Sequence, residues 1–249
     1  MDPAVKRLLK RLAERYETTD FLNGDPSCFM HQVEGDANRE ATAFVASCLS
    51  FGSRKQFLPK IRNLIDCADG DVDGWIRGGI FERKFPARSH GCFYRFFTNG
   101  HMHRFFGAYR ALLDGYGSLG EYVKREAAGD GYEAIVAICR HFAAFASDAV
   151  VPKNAQSACK RVCMFLRWMV RSGSPVDLGL WADFIDRRTL VMPLDTHVLR
   201  QSARLDLMQS AAASMFAARK LSCALLEVFP DDPLKGDFAL FGLGVNGGA

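Results

Sequence analysis

The chain has 249 residues, 49% of them hydrophobic and 24% charged, enough to bury a core as one domain or as two small packed lobes. Its formal net charge of +4 is mild, and no apolar run approaches the roughly 18 residues of a membrane span, which argues against a membrane-embedded protein. None of the eight cysteines forms a CxxC pair, and no Cys or His pair at ligand spacing completes a zinc site. Buried thiols in a reducing cytoplasm are therefore expected, with no metal.

Taken in chain order, the predicted elements are helices. Residues 3–17 form an amphipathic basic helix that has no signal-peptide core and closes on Glu17-Thr18-Thr19-Asp20. Arg39 to Phe51 is a strongly apolar helix ended by Gly52-Ser53. Gln56 to Ala68 carries Leu58, Ile61, Leu64 and Ile65 on one stripe. Gly70 to Gly79 reads as a glycine-rich turn around Trp75. Phe93–Phe97, His103–Gly115, Leu119–Ala127 and Tyr132–Phe145 read as further helices, with His101 and His103 beside a loop. One helix covers Asn154 to Arg171, and another opens at Asp195 and runs to Leu207. Ser214–Phe229 and a closing helix through Asp237 complete the chain. No stretch alternates as a strand with hairpin turns, so the fold class is all-α. The expected body is one compact helical domain over residues 1–249, or two closely packed lobes, its two helical layers divided by a cleft.

Charge is unevenly spread. From Arg83 to Arg110 there are six Arg or Lys, three His and no acid. From Val151 to Arg171 there are five cations, Lys153, Lys160, Arg161, Arg167 and Arg171, and again no acid. Acids gather elsewhere, as at Glu227, Asp231, Asp232 and Asp237. This separation suits a partner made of phosphates, although ordinary solvated helix faces would also give it.

The helical wheel of Asn154 to Arg171 puts Val162, Phe165, Leu166 and Met169 on a core stripe. Lys160, Met164, Arg167 and Arg171 fall on the opposite side, with no acid in the helix to pair the three cations. That face reads either as solvated or as turned toward an anion. Further on, Pro193-Leu194-Asp195-Thr196-His197-Val198-Leu199-Arg200 opens a helix after an extended apolar stretch. Taken alone, Asp195 is an N-cap, a role worth about 1 kcal/mol.

The same eight residues resemble the (P/A)-V-D-T-H-(V/I)-x-R signature of the helix-hairpin-helix DNA glycosylase superfamily, in which the aspartate is needed for base excision. The order of elements over about residues 25–245 is similar too. The superfamily's glycine-rich hairpin and its terminal four-cysteine iron–sulfur pattern are both missing. Those departures resemble the archaeal-type 8-oxoguanine glycosylase branch, in which a catalytic lysine precedes the aspartate by some thirty residues and a second basic residue follows seven positions after it. Here Lys160 precedes Asp195 by 35 positions and Arg167 follows Lys160 by seven.

The resemblance implies a DNA glycosylase with abasic-site lyase activity, a divergent hairpin and no cofactor or iron–sulfur cluster, with Lys160 and Asp195 catalytic. It makes Asp237, Arg167, Met164 and Asp25 candidates for binding the flipped base. Lys153, Arg161, Arg171, His197 and Arg200 are then candidates for contacting DNA. The expected partner is damaged DNA carrying 8-oxoguanine, the expected state a monomer, and the expected place the cytoplasm, at the nucleoid. A binding module of the same fold without catalysis, or a glycosylase that uses water as its nucleophile, remains open. Trp168 and Trp181 could stack on a base, but a core role suits them better. Asp237, set among apolar residues, needs either an arginine or a ligand as partner.

Overall fold

The computed structural model describes residues 1–209 and 212–246. Its longer elements, in chain order, are α1 (Pro3–Tyr16), α2 (Asp36–Leu49), α3 (Arg54–Cys67), α4 (Val72–Arg77), α5 (Phe81–Lys84), β1 (Cys92–Tyr94), β2 (Phe97–Thr98), α6 (Asn99–Tyr116) and α7 (Leu119–Glu126). There follow α8 (Gly131–Ala144), α9 (Lys160–Val170), α10 (Thr196–Arg204), α11 (Met215–Leu226) and α12 (Lys235–Asn246). The protein is thus mostly helical, with one small hairpin among the described residues. Among the described residues no helix is long and apolar enough to cross a membrane, and no group of three or more His, Cys, Asp or Glu could hold a metal ion.

The chain divides into two compact units that interleave in sequence. The first comprises residues 1–23, 129–132 and 155–249, and the second residues 24–128 and 133–154.

The second unit is organised around α2, whose residues from Glu40 to Leu49 are all buried. A helix apolar on every side belongs inside a core, and here aromatic rings surround it. Phe44 meets Phe105, Tyr109 and Phe142, with ring centroids 5.8, 5.3 and 5.1 Å away. Trp75 extends this cluster by meeting Phe81, Phe85 and Phe106 edge to face, and Phe106 meets Phe105. The one buried charge on α2, Glu40, accepts hydrogen bonds from the backbone N–H groups of Leu119 (2.8 Å) and Gly120 (3.1 Å). It therefore satisfies the first two N–H groups of α7, while the Ser118 hydroxyl takes that of Glu121.

Three expectations for this unit change. The turn around Trp75 contains α4, because the Asp71 side chain accepts the Gly74 N–H (2.9 Å) and starts a short helix. Residues Phe93–Phe97 form a hairpin instead of a helix, with Tyr94 paired to Phe97. Arg95, at φ 51°, makes the turn that a helix cannot accommodate. His101 lies on α6 and not beside a loop; its ring nitrogen and the Thr98 hydroxyl form a reciprocal cap at the helix start.

In the first unit α12 packs against α1 and α10. Gly242 and Gly244 allow this closeness, since a Cβ at Gly242 would collide with the Tyr16 ring and one at Gly244 would lie 2.9 Å from His197 Cβ. The helix expected over Asn154–Arg171 begins only at Lys160. Cys159 is left-handed (φ 45°), and Ser157 pairs instead with Ser214 in an isolated antiparallel bridge.

Candidate functional site

Two sequence-distant elements of the first unit bring Lys160 and Asp195 together. The left-handed turn at Cys159 makes Lys160 the first residue of α9. The extended run through Leu190 to Leu194 then delivers Asp195 to the N-cap of α10. Asp195 Oδ1 accepts the N–H groups of His197 and Val198, both at 2.9 Å. Its other oxygen, Oδ2, lies 3.2 Å from Lys160 Nζ. The capping role is thus real and uses one oxygen, leaving the second to the lysine. The Lys160 side chain is 38% exposed and that of Asp195 15%, so the pair sits at a boundary where a reactant could reach the amine.

Beyond Lys160, α9 runs inward, and here the wheel reading is corrected. Arg167 and Arg171 are buried, 3% and 1% exposed. Neither is a solvated cation, and Arg171 has no open guanidinium edge to offer a phosphate. The acids missing from the helix itself come from elsewhere in the unit. Arg167 donates to Asp177 (3.2 Å) and Asp237 (2.5 Å). Arg171 grips both oxygens of Asp232 (2.9–3.0 Å) and also bonds Asp177 and Glu17, the latter at 2.6 Å. The rings of Phe21 and Phe238 flank the Arg167 guanidinium, 5.6 and 4.5 Å away.

Two guanidinium groups therefore face four carboxylates, Glu17, Asp177, Asp232 and Asp237. Burial alone would lower the Arg171 pKa, but the surrounding acids outweigh it and hold the group cationic. Asp237 behaves oppositely. Burial pushes its carboxyl above the usual range, Arg167 only partly offsets this, and Asp195 raises it further. Lys160 pulls it back down, so the Lys160–Asp195 pair and the Arg167–Asp237 pair feel one another electrostatically. Asp177 is also raised by burial, despite its two arginines.

The remaining candidates divide. Met164 and His197 are half-buried in the same unit, and the His197 ring lies 6.3 Å from that of Phe241. Arg161 is half-buried and Arg200 exposed, both in this unit. Lys153 is exposed in the second unit. Asp25 also belongs to the second unit, where it serves a local turn: its Oδ1 accepts the backbone N–H (3.0 Å) and hydroxyl (2.7 Å) of Ser27. Trp168 and Trp181 are buried at 0% and 2% exposure, so neither presents a stacking face to solvent. The sequence reading missed Glu17 and Asp177, which complete the network. Glu17 carries no local signal, since Arg171 lies 154 residues away, and Asp177, only six residues past Arg171, lies beyond the helix on which the wheel was drawn.

Over residues 25–246 the chain matches a family described as a protein of unknown function, DUF2400. No curated protein and no solved structure matches it. The match spans most of the chain, which therefore belongs to the DUF2400 family.

Proposed function

We propose that this DUF2400 protein is a DNA base-excision glycosylase with abasic-site lyase activity, of the helix-hairpin-helix kind, acting on an oxidised purine such as 8-oxoguanine. The observation that carries the reading is the Lys160 Nζ to Asp195 Oδ2 distance of 3.2 Å, between a helix's first residue and another helix's cap. A carboxylate with one oxygen already committed to backbone N–H groups is rigidly aimed, and its second oxygen lies within reach to accept a proton from the amine.

The chemistry then follows. Asp195 takes a proton from the Lys160 ammonium, and the Nζ lone pair forms a bond to the sugar C1′. The bond from C1′ to the base breaks, and the base leaves with the electron pair and picks up a proton. Positive charge developing on the sugar is stabilised by the Asp195 carboxylate. Opening of the sugar ring gives a Schiff base, and loss of the C2′ proton expels the 3′ phosphate by β-elimination. The damaged nucleotide must first leave the duplex stack, at a cost of a few kcal/mol. Asp237 and Arg167 are the groups next to the pair that could meet the expelled base.

Borohydride trapping on an 8-oxoguanine duplex tests the reading. A covalent adduct that disappears in Lys160→Ala supports it. Base release without an adduct would instead mean that water is the nucleophile. Neither adduct nor base release would leave a binding protein in which Asp195 only caps a helix.

A further inference from the structure

The hairpin of the second unit has a feature that its own packing does not require. Phe96, at the turn between β1 and β2, is 61% exposed. It is nevertheless held in place, 5.0 Å from the Phe51 ring and 4.9 Å from the Phe97 ring. Phe97 is fully buried and anchors the base of the hairpin. Tyr94 fixes the hairpin to the chain beneath it by donating its hydroxyl to the Phe51 carbonyl (2.5 Å). The Cys92 thiol closes the turn on the Arg95 carbonyl (3.1 Å). A lone exposed phenylalanine is ordinary, but one braced by two further rings on a pinned turn is a preformed face.

Its neighbours are cations. Arg95 adopts a left-handed backbone (φ 51°), an uncommon state for a residue other than glycine. This lays its guanidinium over Gly52 and 5.7 Å from the Phe51 ring. A side chain at position 52 would displace it, so the glycine is needed there. Exposed Lys55 lies three positions further on, and Arg54 beside it pairs with Asp25 at 3.6 Å. Lys60 Nζ lies 5.6 Å from the ring of Phe93, on the same hairpin. The surrounding segment, residues 83–110, contains no acid. Aromatic faces interleaved with cations such as Arg95 and Lys60 are the means by which proteins hold unpaired bases and their phosphates together.

We propose that the Arg95–Phe96 hairpin tip is a base-stacking finger that binds an unpaired nucleobase in DNA. Phe96 supplies the stacking face, and Arg95 and Lys60 supply charge to the flanking phosphates. This rests on the reading of DNA as the partner, and it places a second contact, independent of Lys160, in the other unit. An aromatic stack on a base is worth about 1–3 kcal/mol, or roughly five- to hundredfold in affinity.

The test is fluorescence anisotropy with two DNA duplexes, one perfectly paired and one carrying a single unpaired 2-aminopurine, whose fluorescence also reports stacking. Phe96→Ala should weaken binding to the bulged duplex five- to hundredfold, weaken binding to the paired duplex much less, and abolish the 2-aminopurine quench. Phe96→Trp should restore both signals. Because the side chain is mostly in solvent, circular dichroism should show both variants folded. Equal losses on the two duplexes, or no loss in a folded Phe96→Ala protein, would overturn the finger. Unchanged DNA binding with a parent dimer that Phe96→Ala converts to monomer would overturn it in favour of self-association. Borohydride trapping on the same proteins separates the two proposals. A parent that traps while Phe96→Ala binds normally would remove the finger and leave the glycosylase. A parent that binds and quenches but never traps would keep the finger and remove the lyase.

Discussion

The interiors of the two units solve the burial problem in opposite ways. Around Phe44 the second unit packs ring against ring, and Glu40, buried beside them, is satisfied by two backbone N–H groups. The first unit instead buries two arginines and three carboxylates around the inner half of α9, with half-buried Glu17 at the edge of the network. An aromatic core is non-directional and tolerates substitution of similar volume. A buried ionic network does not, because removing one member strands the others without water. The charged interior also lies next to the Lys160–Asp195 pair. The difference suggests that the network is kept for the geometry and electrostatics of that site, since a well-packed apolar core would serve stability as well or better.

The largest expected effect follows from this contrast. Arg171→Met conserves bulk but leaves Asp177 and Asp232 short of a partner, and should cost about 3–5 kcal/mol of unfolding free energy. Ile138→Leu, a volume-conserving change at a fully buried residue of the second unit, should cost less than about 1.5 kcal/mol. Urea denaturation of both variants measures the gap. Comparable costs would mean that the network is no more demanding than the aromatic core.

A smaller effect, with a definite sign, comes from pH. Burial raises the folded-state pKa of Asp237, so the folded protein holds that proton more tightly than the unfolded chain does. The stability tied to this group is present below the ordinary carboxylate pKa of about 4, and it is lost as pH rises through the folded value. Asp237→Asn, which keeps an acceptor for Arg167 but cannot ionise, should escape this loss. Relative to the parent, the variant should therefore gain stability as pH rises above about 4, read from denaturant midpoints at each pH. A relative loss over that interval would show that Arg167 outweighs burial at Asp237.

The sequence disclosed local features and hid distant ones. The apolar run through Phe44 marked a buried helix, and Asp195 was readable as an N-cap because capping depends on residues two and three positions away. The environment of Arg171 was not readable, since its partner Glu17 lies 154 residues off. A wheel drawn on α9 alone therefore turned two buried guanidinium groups outward. The Phe93–Phe97 hairpin was missed for another reason. With Phe93, Tyr94, Phe96 and Phe97 all aromatic, the segment shows neither helical nor strand periodicity, and the turn depends on one left-handed arginine. Lys160 is singled out by the resemblance to the glycosylase branch, through its distance from Asp195, while its place as the first helical residue depends on the unexpected backbone of Cys159.

The smallest expected change in stability falls on the residue with the largest proposed role. Asp195 accepts two backbone N–H groups through Oδ1 and meets Lys160 through Oδ2. In Asp195→Asn the side-chain carbonyl can take the place of Oδ1, so both capping bonds persist. Asn is also about as good an N-cap as Asp. The substitution removes the ion pair to Lys160, which is more than a third exposed on the lysine side and so worth roughly 0–1 kcal/mol. Unfolding free energy should fall by no more than about 1 kcal/mol. Chemistry should respond quite differently, because an amide nitrogen in the Oδ2 position cannot take a proton from the lysine or balance positive charge on the sugar. Single-turnover excision should fall by at least about a hundredfold, the lower end of what general-base assistance supplies. Asp195→Ala is the necessary partner measurement: it loses the cap as well, and should add about 1 kcal/mol of destabilisation without a further matching loss of rate. If Asp195→Asn excises at the parent's rate while Asp195→Ala is merely less stable, Asp195 is a cap alone and the proposed chemistry at Lys160 loses its base.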